Sequence, residues 1–129
     1  MHLLLHDPIL TISYDHLSDW LVADWGTDQS QESVQWGCQQ MLRLLKAEHA
    51  RKVLNDNRRV QTLWADASEW VGRVWFPQMA DAGLEYFAWV YSPHLYSRLS
   101  TDRSLDYLVR PIVMTFNNVE TARNWLRAM

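Results

Sequence analysis

A single cysteine, Cys38, leaves the chain without an internal disulfide, so packing alone has to hold it together. The thiol falls within an apolar helical pattern and reads as a small buried hydrophobe. Only four glycines and four prolines are spread through 129 residues, which excludes low-complexity linkers and argues against disorder. Basic residues are not in excess: 12 Lys and Arg stand against 15 Asp and Glu, for a net charge of -3. Affinity for nucleic acid needs Lys and Arg clustered on one face, and Arg58-Arg59 is the one basic pair in a polar loop, so no nucleic-acid partner is expected. No stretch approaches the ~20 apolar residues of a membrane span. Met1 to Asp7 has neither the basic start nor the apolar length of a signal peptide, and the expected location is the cytoplasm.

Catalytic signatures are missing as well. There is no Gly-x-Ser-x-Gly elbow and no glycine-rich phosphate loop, and Cys38, the one thiol, falls on a core face. His2 with His6 is the nearest approach to a metal pair, and it sits at the start of the chain. His49 falls at the end of a helical pattern, where it complements the helix dipole, and His94 falls in the first turn of another. Asp66 and Glu69 share a helix face and read as solvated. The expectation is a non-enzyme with no cofactor and no metal.

What the chain has in quantity is tryptophan, eight residues at 20, 25, 36, 64, 70, 75, 89 and 125. A core of this size accommodates about five of them, and the remainder mark a pocket or a partner surface.

The pattern of elements predicts one α/β domain over residues 1–129. Ile9 to Tyr14 and Trp20 to Trp25 form an antiparallel hairpin, with a short strand before it at Leu3 to His6. Asp28 and Gln31 have capping-box spacing, and Val34, Cys38, Met41, Leu42 and Leu45 mark the apolar side of a helix running to His49. A short strand, Lys52 to Asn55, ends in a polar loop. Thr62 then N-caps a second helix, which Pro77 should distort and Gly83 should stop. Tyr86 to Tyr91 reads as a central strand covered on both faces. Ser92-Pro93 opens a helix to Leu99, with more helix around Ser104 to Leu108. Ile112 to Phe116 is the last strand, and Asn117 with Glu120 caps the final helix. The fold class is thus a mixed sheet of about four or five strands, with helices near 30–49, 62–82, 93–100 and 118–127. Val53, Leu54, Phe87, Trp89, Val113 and Met114 are expected in the core.

In this order, the segment Arg51 to Asn57, the strand Tyr86 to Val90 and the ending Phe116 to Leu126 resemble the SpoIIAA-like STAS proteins, small stand-alone bacterial domains grouped as STAS/SEC14-like. The likeness runs from about Ile9 to the end. It implies a regulatory or protein-interaction module. In the anti-sigma-factor antagonists of that family a Ser entering the second helix is phosphorylated; here the turn lacks the Asp-Ser-Gly pattern, and Thr62 is the nearest hydroxyl.

In open α/β sheets ligands sit beyond the carboxyl ends of the strands. The residues there are Asn55, Asp56, Asn57 and Arg58 on one side, and Tyr91 and Ser92 on the other. With Trp64 they form the candidate site for a ligand or partner; the same residue types also serve as turn formers and caps. On an ideal helix Trp64 and Trp75 lie close in angle while Trp70 points aside, so at least one should face solvent or an interface. Two functions are open: a STAS-like interaction module, expected as a homodimer acting through protein partners, or a binder of a small apolar or lipid-like molecule in a Trp-lined pocket. A flat exposed Trp patch favours the first, and an apolar cavity between the second helix and the sheet favours the second.

Overall fold

The computed structural model describes residues 1–129 as an α/β fold built on a six-stranded sheet in the order β1-β2-β3-β4-β5-β6. The strands are β1 (His2–His6), β2 (Leu10–Asp15), β3 (Trp20–Trp25), β4 (Lys52–Asp56), β5 (Tyr86–Val90) and β6 (Ile112–Phe116). β1, β2 and β3 pair antiparallel, and β3 to β6 pair parallel. The mixed class is as expected, but the strand count is six rather than four or five. The sixth is β1, the short strand expected at Leu3 to His6 but not carried into that count; it is an edge strand whose side chains are mostly exposed or half-buried, so alternation marks it weakly.

Helix α1 (Gln31–Glu48) covers one face of the sheet. Its cap is Ser30, not Asp28: the Ser30 hydroxyl accepts from the Ser33 N–H and the Ser33 hydroxyl accepts from the Ser30 N–H. His49 ends the helix in the left-handed region, at φ 54°. The second helical stretch begins at Ala65 rather than Thr62. Thr62 does not cap it, because its hydroxyl accepts from the Gln29 N–H at 2.8 Å and donates to the Gln29 carbonyl. The stretch continues as α2 (Ala65–Trp70), a π-helical turn (Val71–Trp75) and α3 (Phe76–Asp81). Pro77 follows that turn directly. It has no N–H for the Arg73 carbonyl four residues back, and the distortion takes the form of a wider turn, with the Phe76 N–H on the Val71 carbonyl.

Helix α4 (Leu95–Leu105) lies on α2 and the π-turn, and it starts later and runs longer than expected because Ser92 and Pro93 stay in the loop. It turns Ser97, Ser100, Thr101 and Ser104 inward and leaves Leu95, Tyr96 and Leu99 exposed. Small residues permit a close approach: a Cβ on Gly72 would stand 2.2 Å from the Ser104 carbonyl oxygen. Helix α5 (Val119–Ala128) is capped by Asn118, one residue later than expected, whose side chain accepts from the Thr121 N–H. No helix is long and apolar enough to cross a membrane.

The sheet separates two cores. The larger joins β1 to β5 with α1, α2, the π-turn and α3; the smaller packs Ala122 and Leu126 of α5 on Trp20, Leu54, Ala88 and Val90. Val53, Leu54, Phe87 and Trp89 are buried as expected. Met114 is not a core residue: β6 is an edge strand, and Met114 remains 45% exposed while Val113 is half-buried.

Candidate functional site

The polar ending of β4 and the two central tryptophans set up one site. In register across the sheet, Ala23, Asn55 and Trp89 are neighbours, so the carboxyl-terminal parts of β3, β4 and β5 lie side by side. Trp25 closes β3, and its indole N–H donates to Asn55 Oδ1 at 2.8 Å. Asn55 Nδ2 donates in turn to Asn57 Oδ1 at 3.1 Å. A buried amide of this kind has to be satisfied by its neighbours, and Trp25 and Asn57 do so here. Gly37 of α1 makes room for the Trp25 ring, since a Cβ there would meet it at 2.5 Å.

Above this floor stand the second helical stretch and the loop before it. The wider π-turn places Trp75 inward, its indole N–H donating to the Cys38 carbonyl at 2.7 Å. Trp64 precedes α2 and stacks on Trp89, with ring centres 5.9 Å apart and planes 18° from parallel. Phe76 and Phe87 meet the same Trp89 ring edge to face. Between these side chains lies an apolar cavity, with Asn55, Asn57 and Gln29 as its polar part and no charged residue in its lining. Its free space is about 20 Å³, enough for about one water. Cys38 lines it too, and burial pushes its thiol well above the ordinary range, which leaves almost no thiolate at neutral pH.

Among the lining residues, one fully buried polar atom has no partner. The Trp89 indole N–H is buried and unbonded, unlike those of Trp25 and Trp75. A lost hydrogen bond of this type costs about 1–3 kcal/mol in a buried setting.

The sequence-predicted residues divide. Asn55, Asn57 and Trp64 line the cavity. Asp56 alternates to the opposite face of β4, where it accepts the Arg58 N–H and grips the Arg58 guanidinium. Ser92 is buried and acts as a tie, donating to the Val60 carbonyl at 2.5 Å and accepting from the His94 N–H. Tyr91 belongs to a separate outer cluster, in which its hydroxyl donates to Asp102 and the Arg98 guanidinium lies 4.1 Å from its ring centre. Burial, then the Asp102 hydrogen bond, raises the Tyr91 phenol above its usual range. Thr62, the nearest hydroxyl to the turn, is half-buried and engaged on both its donor and acceptor sides by Gln29.

Sequence reasoning missed Trp25, Gln29 and Trp89 as lining residues, and Trp75 entered it only as part of the stretch from Asn55 to Phe76 expected to form a functional surface. The signal was present as aromatic residues ending β3 and lying in β5, but their convergence depends on strand order. Nor does any of the second-helix tryptophans face solvent outright: Trp64 and Trp75 are buried and Trp70 is half-buried. An ideal helical angle does not apply to them, because Trp64 lies before the helix and the π-turn shifts the phase before Trp75.

On the opposite face Asp24 sits beside Asp56 in register and within 3.4 Å of Arg59. Burial raises the Asp24 carboxyl, more than the Arg59 charge lowers it, and the charge of Asp56 adds to the rise. The folded chain thus holds this proton more tightly than the unfolded one. The stability it contributes is present below the ordinary carboxylate range and is lost as pH rises through the elevated value. Asp24→Asn is expected to flatten that dependence and to raise stability at neutral pH. Urea midpoints of parent and variant at about pH 4 and about pH 7 measure it; an unchanged difference between the two pH values contradicts the assignment.

No cluster of three or more His, Cys, Asp or Glu side chains comes together that could hold a metal ion. Compared with protein-family models, curated proteins and solved structures, the chain matches none, and the role of the cavity has to follow from its own chemistry.

Proposed function

We propose that the protein binds a small, uncharged, apolar molecule in the cavity between the sheet, α1 and the π-turn. The observation that carries this reading is convergence: Trp25, Trp64, Trp75 and Trp89, from four separate stretches of chain, line one uncharged space. Ligand sites are concave, mostly apolar and supplied with a few placed polar groups. Here the polar side chains are Asn55, Asn57 and Gln29. The free space is of water size, so binding requires part of the wall to move, and the wall contains the element suited to it. π-turns inside helices occur often at functional sites, and Trp64 stands in the irregular stretch before α2 with no side-chain cap behind it.

The test uses the protein as taken from the cell that makes it, together with indole as a probe. Native mass spectrometry is expected to show a bound small molecule that denaturation releases. A ligand at about 100 times its Kd stabilises the folded state by about 2.7 kcal/mol, so saturating indole should raise the denaturant midpoint. A chain that carries nothing and whose midpoint indole leaves in place overturns the proposal.

The second reading, an interaction module of the STAS kind working as a homodimer, draws support from one feature. β6 has no strand on its outer side, and Ile112 and Met114 are exposed along it. Edge strands are ordinarily protected by charge, proline or a bulge. The far edge, β1, has His2, His6 and a register shift between Leu3 and Leu5, whereas Ile112–Phe116 contains neither charge nor proline. Two copies of β6 paired antiparallel across a two-fold axis form a self-complementary joint. Sedimentation at about 100 μM is expected to show a dimer that Met114→Lys converts to monomer. A monomeric parent at that concentration removes this reading.

A further inference from the structure

We propose that the first two turns of α4, residues 95–102, are a latch. They undock from α2 and the π-turn while the sheet stays folded, and this release frees the cavity wall to move. The role at the cavity rests on the cavity being a ligand site; the undocking is measured by itself.

The inner face of the latch supplies the first reason. Helices ordinarily dock by burying an apolar stripe, and α4 buries hydroxyls instead. Ser97, Ser100, Thr101 and Ser104 are all fully buried. Ser97 Oγ and Thr101 Oγ1 have no hydrogen-bond partner there, so docking takes two hydroxyls out of water without replacing the bonds they lose. The apolar residues of the same turns are outside: Leu95, Tyr96 and Leu99 are 65%, 63% and 50% exposed. Undocking therefore uncovers little apolar surface on the helix itself, and its own share of the hydrophobic driving force is small.

The second reason is what holds it. On the inside, Ser100 Oγ accepts from the Trp64 N–H at 3.0 Å, and the Ser100 carbonyl accepts from Ser68 Oγ at 2.9 Å. At the surface, the Tyr91 hydroxyl donates to Asp102, and the Arg98 guanidinium lies over the Tyr91 ring and donates to Asn117 Oδ1 at 3.1 Å. The first turn has no side-chain cap at His94. At the other end Ser104 meets Gly72 closely, and Leu105 and Leu108 pack on the larger core. The helix is thus anchored by packing at its carboxyl end and fastened by a few polar contacts at its amino end.

The third reason is position. Trp64, Val71 and Trp75 line the cavity from the second helical stretch, and α4 packs on α2 and the π-turn of that stretch. While residues 95–102 are docked they brace this wall, through Ser100 at the Trp64 backbone and at Ser68 of α2. Once they leave, the wall keeps only its contacts with α1 and the sheet.

Two turns of helix are marginal in water alone, so undocking opens their amides to hydrogen exchange. Native-state exchange in rising, sub-denaturing urea tests it. In the parent, amides of residues 99–102 are expected to exchange faster than those of β5 and with little dependence on urea, as a local opening does. Thr101→Val keeps the side-chain shape and removes an unbonded hydroxyl, and it should slow exchange at residues 99–102 about 10-fold. Tyr91→Phe removes the bond to Asp102 and should speed it about 5-fold. Exchange of these amides at the rate and urea dependence of β5 overturns the latch, as does exchange that neither variant changes. The role at the cavity is tested by stopped-flow quenching of tryptophan fluorescence with quinoline, a flat neutral probe. Its association rate should fall in Thr101→Val and rise in Tyr91→Phe by the same factors. Equal association rates in all three proteins overturn that role. If quinoline does not bind, the ligand-site reading fails and takes the role with it, while the exchange pattern still decides the undocking.

Discussion

Trp89→Ala is expected to lower the free energy of unfolding by about 3–5 kcal/mol, the range for emptying a fully buried large aromatic site. Trp89 lies in the central strand β5, is 3% exposed, and packs against Trp64, Phe76 and Phe87. Removing it takes away ring contacts from three aromatic neighbours and leaves space that a strand backbone cannot close. A smaller opposing effect runs alongside. The unbonded indole N–H disappears with the ring, which returns about 1–3 kcal/mol of the desolvation penalty. Trp89→Phe should therefore destabilise much less than Trp89→Ala, since it removes the orphaned donor and retains most of the packing. Denaturant midpoints of the three proteins, at unchanged m values, check the order. A Trp89→Ala midpoint equal to that of the parent contradicts the burial.

The second large effect is expected at Gly72, in the π-turn. In an ordinary helix interior Gly→Ala stabilises by about 0.8–1.0 kcal/mol through backbone entropy. Here the added Cβ would stand 2.2 Å from the Ser104 carbonyl oxygen and 2.9 Å from Tyr107 Cβ. Neither neighbour is the free end of a flexible side chain, so the end of α4 has to move away from the π-turn. Overpacking of this kind costs about 1–3 kcal/mol, and more where backbone has to shift. The clash outweighs the propensity gain, and Gly72→Ala should lower the unfolding midpoint. It should also loosen the hold of Ser100 on Trp64, because the two helices share that contact. A higher midpoint for Gly72→Ala would show that α4 does not pack as described.

How much of this was legible in the chain depends on whether local pattern or strand order determines the feature. The run Tyr86 to Val90 identifies β5 correctly, since a strand buried on both faces has nearly continuous apolar character. The same logic misplaces Met114. Ile112–Phe116 has an equally apolar composition, and nothing local says that no strand follows on its far side. Caps were legible to within one or two residues, as at Ser30 and Asn118, because several Ser, Asn and Asp residues near each helix start can serve. Pro77 announced a distortion, but its form, a π-turn that turns Trp75 inward, comes from packing against α1 and the sheet. Helix α4 turns its serine face inward because Gly72 lets it approach closely, leaving Leu95 and Leu99 outside, which no local pattern announces.

At the site, the polar run Asn55 to Arg58 was legible as the carboxyl end of a parallel strand. The division of labour within it was not. Strand alternation sends Asn55 to the cavity and Asp56 to the opposite face, and which face carries the cavity is decided by α1 and the second helical stretch. The eight tryptophans signalled a pocket or a partner surface. Five are buried and Trp36, Trp70 and Trp125 are half-buried, so no flat exposed patch forms. That outcome supports the cavity reading over the interaction surface.

The most direct test of the cavity as a binding site is the two-dimensional spectrum of the eight indole N–H groups during titration with quinoline. Trp25, Trp64, Trp75 and Trp89 line the cavity, while Trp20 lies beneath α5 and Trp125 belongs to α5, on the other side of the sheet. Saturable shifts at the first four signals, with Trp20 and Trp125 unmoved, are the predicted result. Shifts confined to the half-buried Trp36 and Trp70, or no saturable shift at any of the four, would contradict it.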